Sequence, residues 1–229
     1  MCISIIVPTY NEARNICKTL AAIRQDYPPD AVEIIVVDGG SEDNTLKLIP
    51  SDVRVIKRKK GRGFQMNHGA LEAHGEILLF CHADTLLPPG WREEVVHQLD
   101  KPGVSAGAFG IKFLPARGVL HLINTLNYPP DWRWMYGDQA QFMKKTMFDA
   151  VGGFPELPVM EDLEIMRRLK DKGRLVRARL KVITDSRRFL ERGPLCQTWL
   201  NIRVVLRYLY LGVDAETIAR DYYITNRDQ

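Results

Sequence analysis

The sequence predicts an α/β fold: a mostly parallel central sheet with helices on both faces. Three observations predict it. Short strand-like runs at 3–7, 32–37, 53–57 and 77–81 alternate with helical segments, the spacing of right-handed βαβ units. The fourth run is continuously apolar, and the first and second are apolar except for Ser4 and Glu33, as in strands covered on both faces. Those same three stop abruptly at polar clusters: Pro8-Thr9-Tyr10-Asn11-Glu12, Asp38-Gly39-Gly40-Ser41 and His82-Ala83-Asp84-Thr85. Ligands of open α/β sheets collect at the carboxyl ends of the strands, so these clusters are the first place to look for chemistry.

The elements come in order. After the first strand, Asn11 is placed to cap a helix over 12–24, whose apolar face is Ala13, Ile16, Leu20 and Ile23 and which Tyr27-Pro28-Pro29 ends. The second strand runs into Gly39-Gly40, a tight turn that lets a ligand approach the backbone. Ser41 or Asp43 can cap the next helix. The third strand leads into the basic run Lys57-Arg58-Lys59-Lys60-Gly61-Arg62, then a helix over 64–74 broken by Gly75. After the fourth strand, Pro88-Pro89-Gly90 turns the chain into a helix over 91–99. The second half is predicted as a glycine-rich strand over 104–113, with Gly103, Gly107 and Gly110 as bulges or ligand contacts, a helix over 119–126, and an aromatic loop, Pro129-Pro130-Asp131-Trp132-Arg133-Trp134. A strand over 139–143 and a helix over 144–151 come next, the latter stopped by Gly152-Gly153-Phe154-Pro155. A helix from 158 to 172, short strands at 175–176 and 182–184, an apolar helix over 195–211 and a loose tail from 226 complete the chain. The apolar helix suits packing on the core or on a second subunit, or lying on a membrane surface.

The totals exclude several classes. The 229 residues, 45% hydrophobic and 26% charged, suit one soluble domain with an elaborated tail. A net charge of +4 does not by itself imply nucleic acid, and the Lys57 to Arg62 run reads as a solvated loop. Cys2, Cys17, Cys81 and Cys196 are far apart and form no CxxC, which argues against a zinc knot or disulfide framework and for a reducing compartment. The chain opens directly on a strand, without a signal peptide, and no apolar run is long enough to span a bilayer. Neither GxGxxG nor GxxxxGK[ST] occurs, which weighs against a dinucleotide-dependent dehydrogenase and a P-loop enzyme.

Three acids carry the functional expectation: Asp38, Asp84 and Asp162. An acid at a strand end can hold a divalent metal against a phosphate. Asp162, in Glu161-Asp162, opens a helix, where acids also suit the dipole. At about 100° per residue it shares a side with Ile165, Met166 and Leu169, while Glu164 points away. A carboxylate turned toward the interior needs a partner or a task.

In combination with Val7-Pro8-Thr9-Tyr10-Asn11-Glu12, these acids resemble family 2 glycosyltransferases, inverting enzymes with a GT-A, Rossmann-like fold, over residues 3–190. The resemblance implies a glycosyltransferase domain at 1–190, with a nucleotide-binding half at about 1–100 and an acceptor half at about 101–190, followed by a C-terminal helical extension at 191–229. It implies transfer of a sugar from a UDP- or GDP-sugar to an acceptor hydroxyl, with inversion and a divalent metal, Mg or Mn. Residue by residue, it puts Pro8, Thr9, Tyr10, Glu12 and Asp38 around the nucleoside. Arg62, Asn67, His82 and Ala83 also fall on the nucleotide side. Asp84 matches the last acid of a metal-binding DxD motif, and Asp162 the catalytic base. Glu161, Trp132, Trp134 and Arg188 lie on the acceptor side. His82 stands where the first acid of DxD belongs. Arg188 lies where processive relatives carry QxxRW, which is absent here. His82-Ala83-Asp84-Thr85 and Gly61-Arg62-Gly63-Phe64-Gln65-Met66-Asn67 are similar to motifs of a subgroup of small bacterial members.

The expected setting is the cytoplasm, with contact to the inner face of the membrane, a lipid-linked acceptor and a homodimer through the C-terminal helices as further candidates. The alternatives are a nucleotidyltransferase, disfavoured by the lack of glycine and lysine after the first strand, and a non-catalytic nucleotide-sugar-binding protein, favoured by His82.

Overall fold

The computed structural model describes residues 2–25, 27–28 and 31–227. A single eight-stranded sheet runs through it. Its first half is parallel: β1 (Ile3–Thr9) lies between β2 (Glu33–Asp38) and β4 (Ile77–Phe80), and β3 (Arg54–Lys57) pairs with β2. Strand alternation sends Ile3, Ile5 and Val7 to one face, where α1 (Ile16–Arg24) and α3 (Trp91–Leu99) cover them with Leu20, Ile23, Trp91 and Val95. Ile6, Ile35 and Val37 face the other way, onto Met66 and Ala70 of α2 (Arg62–Leu71).

The second half adds β5 (Thr85–Leu86), β6 (Val104–Leu114), β7 (Gln141–Lys144) and β8 (Arg174–Asp185), giving the order β3-β2-β1-β4-β7-β6-β8-β5. β7 is antiparallel to both β4 and β6, while β8 runs parallel to β6. β7 thereby delivers the loop before it to the carboxyl end of β4. After α4 (Val119–Thr125) come α5 (Lys145–Ala150) and α6 (Glu161–Lys170), which pack Phe148, Ile165, Met166 and Leu169 on the α2 side. α7 (Arg187–Arg192), α8 (Pro194–Tyr210) and α9 (Ala215–Arg227) form the extension, and Ile218 and Ala219 of α9 bury Val159 just ahead of α6.

Several elements depart from expectation. The first helix starts at Ile16, not at residue 12, because Asn11 is drawn across to the next loop: its N–H donates to Ser41 Oγ at 2.9 Å and its Oδ1 accepts from Glu42 N at 2.9 Å. The two short strands near residues 175 and 183 are one strand, β8, paired along β6 with register shifts. Its interspersed arginines and lysine hide that continuity in the sequence. The glycine at 107 serves packing, since a Cβ there would come within 2.5 Å of the Phe142 ring. The helix over 195–211 forms, but Gln197 is its one buried residue and much of its apolar surface stays exposed. Residues 226 and 227 are helical rather than loose, and 228–229 lie outside the described residues.

Candidate active site

Two loops form one wall of the site, at the carboxyl ends of β1 and β2. Asp38 is fully buried; its carboxylate accepts from the N–H groups of Gly40 and Ser41, at 2.9 and 3.0 Å, and from the Ser41 hydroxyl. It therefore shapes the turn from beneath. Thr9 is buried too, and its hydroxyl donates to Val7 O at 3.2 Å. Gln65 on α2 ties the two strand ends together, its Nε2 donating to Thr9 O at 3.0 Å and Val37 O at 2.7 Å. Lys60 Nζ sits 3.8 Å from the centre of the Tyr10 ring, so the basic run folds over this wall. Glu12 accepts from Asn15 Nδ2 and lies 3.7 Å from Arg187, linking the loop to α7.

The opposite wall is built around Gly137. Its N–H donates to Asp162 Oδ2 at 2.7 Å. A Cβ on Gly137 would lie 2.9 Å from His82 Nε2 and 3.3 Å from Asp162 Oδ2. The absence of a side chain at 137 thus lets the His82 ring and the Asp162 carboxylate approach the same backbone. Asp162 Oδ1 accepts from Leu163 N at 2.8 Å, and Gln141 Nε2 donates to Asp162 O at 3.0 Å, so both the side chain and its helix end are held. Next to it, Glu161 is fully buried and paired with Arg62 of α2. Among the described residues its buried Oε2 has no hydrogen-bond partner. Burial pushes the Glu161 carboxyl above its ordinary range; Arg62 opposes that and the Asp162 charge adds to it.

Among the described residues three non-glycines adopt left-handed backbone: Asn11 (φ 54°), Ala140 (φ 46°) and Met160 (φ 68°). They lie in the loop after β1, just before β7, and immediately before Glu161-Asp162. Such conformations cost about 1 kcal/mol or more each and concentrate where surrounding structure holds a site in shape.

The aromatic loop borders this wall. Its short 3-10 turn, Trp132–Trp134, packs against α6. Tyr128 stacks on Trp134, with ring centroids 5.5 Å apart, and Arg133 lies over Trp132. Arg177 of β8 holds the loop from beneath, donating to Trp134 O at 2.7 Å and Gln139 Oε1 at 2.8 Å. Burial lowers the Arg177 guanidinium to about 10 and raises the Tyr136 hydroxyl to about 12, the latter reinforced by Asp162 and Asp138.

No group of three or more His, Cys, Asp or Glu side chains able to hold a metal ion occurs among the described residues. The donor set after β4, a half-buried carboxylate at Asp84 beside His82, instead fits an ion shared with ligand phosphates; Mg²⁺ is commonly held by one or two carboxylates plus substrate phosphate oxygens.

The structure brings His82 and Asp162 together, and sets Glu161 against Arg62. Ala83 is buried, its carbonyl accepting from Thr19 Oγ1. Asn67 is engaged with the Phe154 backbone through both ends of its amide, at 2.8 and 2.9 Å. Glu164, expected to point outward, is buried beneath Arg167 and Arg168. The Arg188 side chain lies outside the described residues. Gly137, Gln141, Arg177 and the bridging role of Gln65 are not foreshadowed in the sequence; Gln65 stands out only as part of the Gly61 to Asn67 motif.

Comparison with known proteins places this architecture. Residues 4–155 match the model of "Glycosyl transferase family 2". The chain is 30% identical over 125 residues to glycosyltransferase AglE of Haloferax volcanii, covering 51% of this chain and 41% of AglE. It thus spans less than half of that relative. The mannosyltransferase PcManGT from Pyrobaculum calidifontis, solved with GDP-Man and Mn²⁺, superposes with a TM-score of 0.67 at 24% identity, over 88% of this chain and 60% of that one. S. aureus TarS 1-349, solved with UDP-GlcNAc, gives 0.66 at 20% identity, over 82% and 59%. These likenesses establish a GT-A fold. With two-thirds of its length matched by the family model, the chain belongs to glycosyl transferase family 2.

Proposed function

We propose that this protein transfers a sugar from a UDP- or GDP-sugar to an acceptor hydroxyl with inversion, assisted by a divalent metal. The observation that carries this reading is the convergence of His82 and the Asp162 carboxylate on Gly137 at the carboxyl end of the sheet, in a chain of this family. The ligands of PcManGT and TarS support the two donor classes.

In this mechanism the nucleoside lies along Pro8, Thr9, Tyr10 and Glu12 and the turn organised by Asp38. Asp84, with His82, would hold the metal. When bound, that ion neutralises charge on the departing diphosphate. Arg62 and Lys60 supply fixed positive charge on the same side. Asp162 removes the proton from the acceptor hydroxyl as it attacks the anomeric carbon opposite the leaving group; this single displacement inverts the centre. Gly137 N–H keeps the carboxylate aimed. Trp132 and Trp134 offer aromatic faces for the acceptor, and Glu161 acts through Arg62 rather than on the acceptor. The four free cysteines suit a reducing cytoplasm.

The test is Asp162→Asn. The amide oxygen can still accept from Gly137 N, so nucleotide-sugar binding should persist while transfer falls by about a hundredfold or more. Near-normal turnover would remove Asp162 from the mechanism. Donor hydrolysis without acceptor separates an enzyme from a nucleotide-sugar sensor.

A further inference from the structure

We propose that the outer face of α8 docks this protein on an anionic lipid surface. Leu195, Trp199, Ile202, Leu206 and Tyr210 succeed each other at intervals of four, three, four and four, so they form one stripe along the helix. All five are exposed, Leu195 at 73% and Trp199 at 66%. The helix does not need this stripe for its fold: Val204 and Tyr208, on another face, supply its packing against α9 and the segment before α6. α4 packs beside α8 and leaves Leu122 and Leu126 exposed as well. A patch of this kind is unusual on a soluble monomer and marks an interaction surface.

Charge selects the partner. From α7 to the end of α8 the chain holds Arg187, Arg188, Arg192, Arg203 and Arg207 against one acid, Glu191; with the acids that pair with Arg187 and Arg207 counted, the surplus is +2. Arg187 and Arg207 meet Asp185 and Asp221 on the flanks. No acid lies on the stripe, and Arg203 is exposed at its edge. An apolar face carrying Trp, Tyr and Leu, with arginine alongside, matches the interfacial region of a bilayer with anionic headgroups. A second copy docked symmetrically on the same face would bring the two Arg203 side chains and their neighbours into like-charge opposition. No helix is long and apolar enough to cross a membrane among the described residues, so the contact is one of lying on the surface.

The experiment is co-sedimentation of the full chain with vesicles of phosphatidylcholine containing roughly one-third phosphatidylglycerol. Binding is expected, about tenfold weaker on pure phosphatidylcholine and weakened by salt. Trp199→Ser combined with Leu206→Ser should cost at least about tenfold, whereas Leu71→Ser, a change at a still more exposed leucine on α2, should cost nothing. Thermal melting and nucleotide-sugar titration of each variant report whether fold and donor site are intact. Absence of binding to the anionic vesicles, or equal binding by the double variant, overturns the proposal. So does a dimer, seen by light scattering, that the double variant abolishes, since a second copy would then own the face. Loss of donor binding with vesicle binding retained would instead count against the transferase reading alone.

Discussion

Replacing Gly137 with alanine probes the geometry on which the proposed mechanism rests. The new methyl would sit 2.9 Å from His82 Nε2, 3.1 Å from His82 Cε1 and 3.3 Å from Asp162 Oδ2. Ordinary contact needs about 3.5 Å, so the imidazole must retreat by roughly half an ångström. The backbone at 137 is not left-handed, so alanine adds no φ strain. The ring can yield by rotating off its rotamer, which costs about 0.5–1.5 kcal/mol. In a chain of this size that lowers Tm by no more than about 4 °C. The effect on the reaction should be larger: a misplacement of about 1 Å can cost a hundredfold, so half that displacement predicts about a tenfold loss of donor turnover. The assay is donor hydrolysis and transfer at saturating nucleotide sugar, beside a melting curve. Turnover within about twofold of the parent at an unchanged Tm would refute the idea that His82, Gly137 and Asp162 form the reacting geometry.

The same contacts give two further outcomes. Arg62→Met should leave the Glu161 carboxyl buried without its countercharge and cost about 3 kcal/mol of stability at pH 7. Because the native carboxyl is already raised above its ordinary value of 4.5, the folded state binds the extra proton. Without Arg62 the carboxyl rises further, so the penalty is complete above the variant's native value and fades as pH falls through it toward the parent's own raised value, visible as denaturation midpoints that converge at acid pH. A pH-independent penalty would show that the pair is held by packing rather than charge. Gln65→Leu removes the donor to Val37 O and to Thr9 O, the latter still served by Gly39 N. Two hydrogen bonds are lost, for about 1–3 kcal/mol in chemical denaturation, together with weaker donor binding because the strand-end loops lose their tie; unchanged donor affinity would separate the loops from the nucleotide.

Much of this arrangement was legible in the sequence, for a physical reason. Strands buried on both faces are near-continuously apolar, so the points where they end, at Asp38 and at His82-Ala83-Asp84, stand out. The same logic on a helical wheel turned Asp162 inward, and the structure holds it half-buried above Ile165, Met166 and Leu169. What escaped is long-range and backbone-directed. Gln65 reaches carbonyls 56 and 28 residues away, and Gly137 meets Asp162 across 25. Neither contact leaves a local pattern. Asn11 and Asn67 were recognisable as polar markers, but their amides bind backbone of neighbouring loops, which only the three-dimensional path reveals. The exposed stripe on α8 was visible as an apolar helix; its want of a partner was not, because periodicity reports a face and not what covers it.

In the proposed function the sheet's carboxyl end binds a nucleotide sugar through a metal held at Asp84. Calorimetric titration of UDP-GlcNAc and GDP-mannose, with and without Mn²⁺, tests it most directly. The expected result is binding of one donor that strengthens with metal, an increment that Asp84→Ala reduces by about tenfold or more. Binding of neither donor under any condition, or a metal increment unchanged in Asp84→Ala, would contradict it.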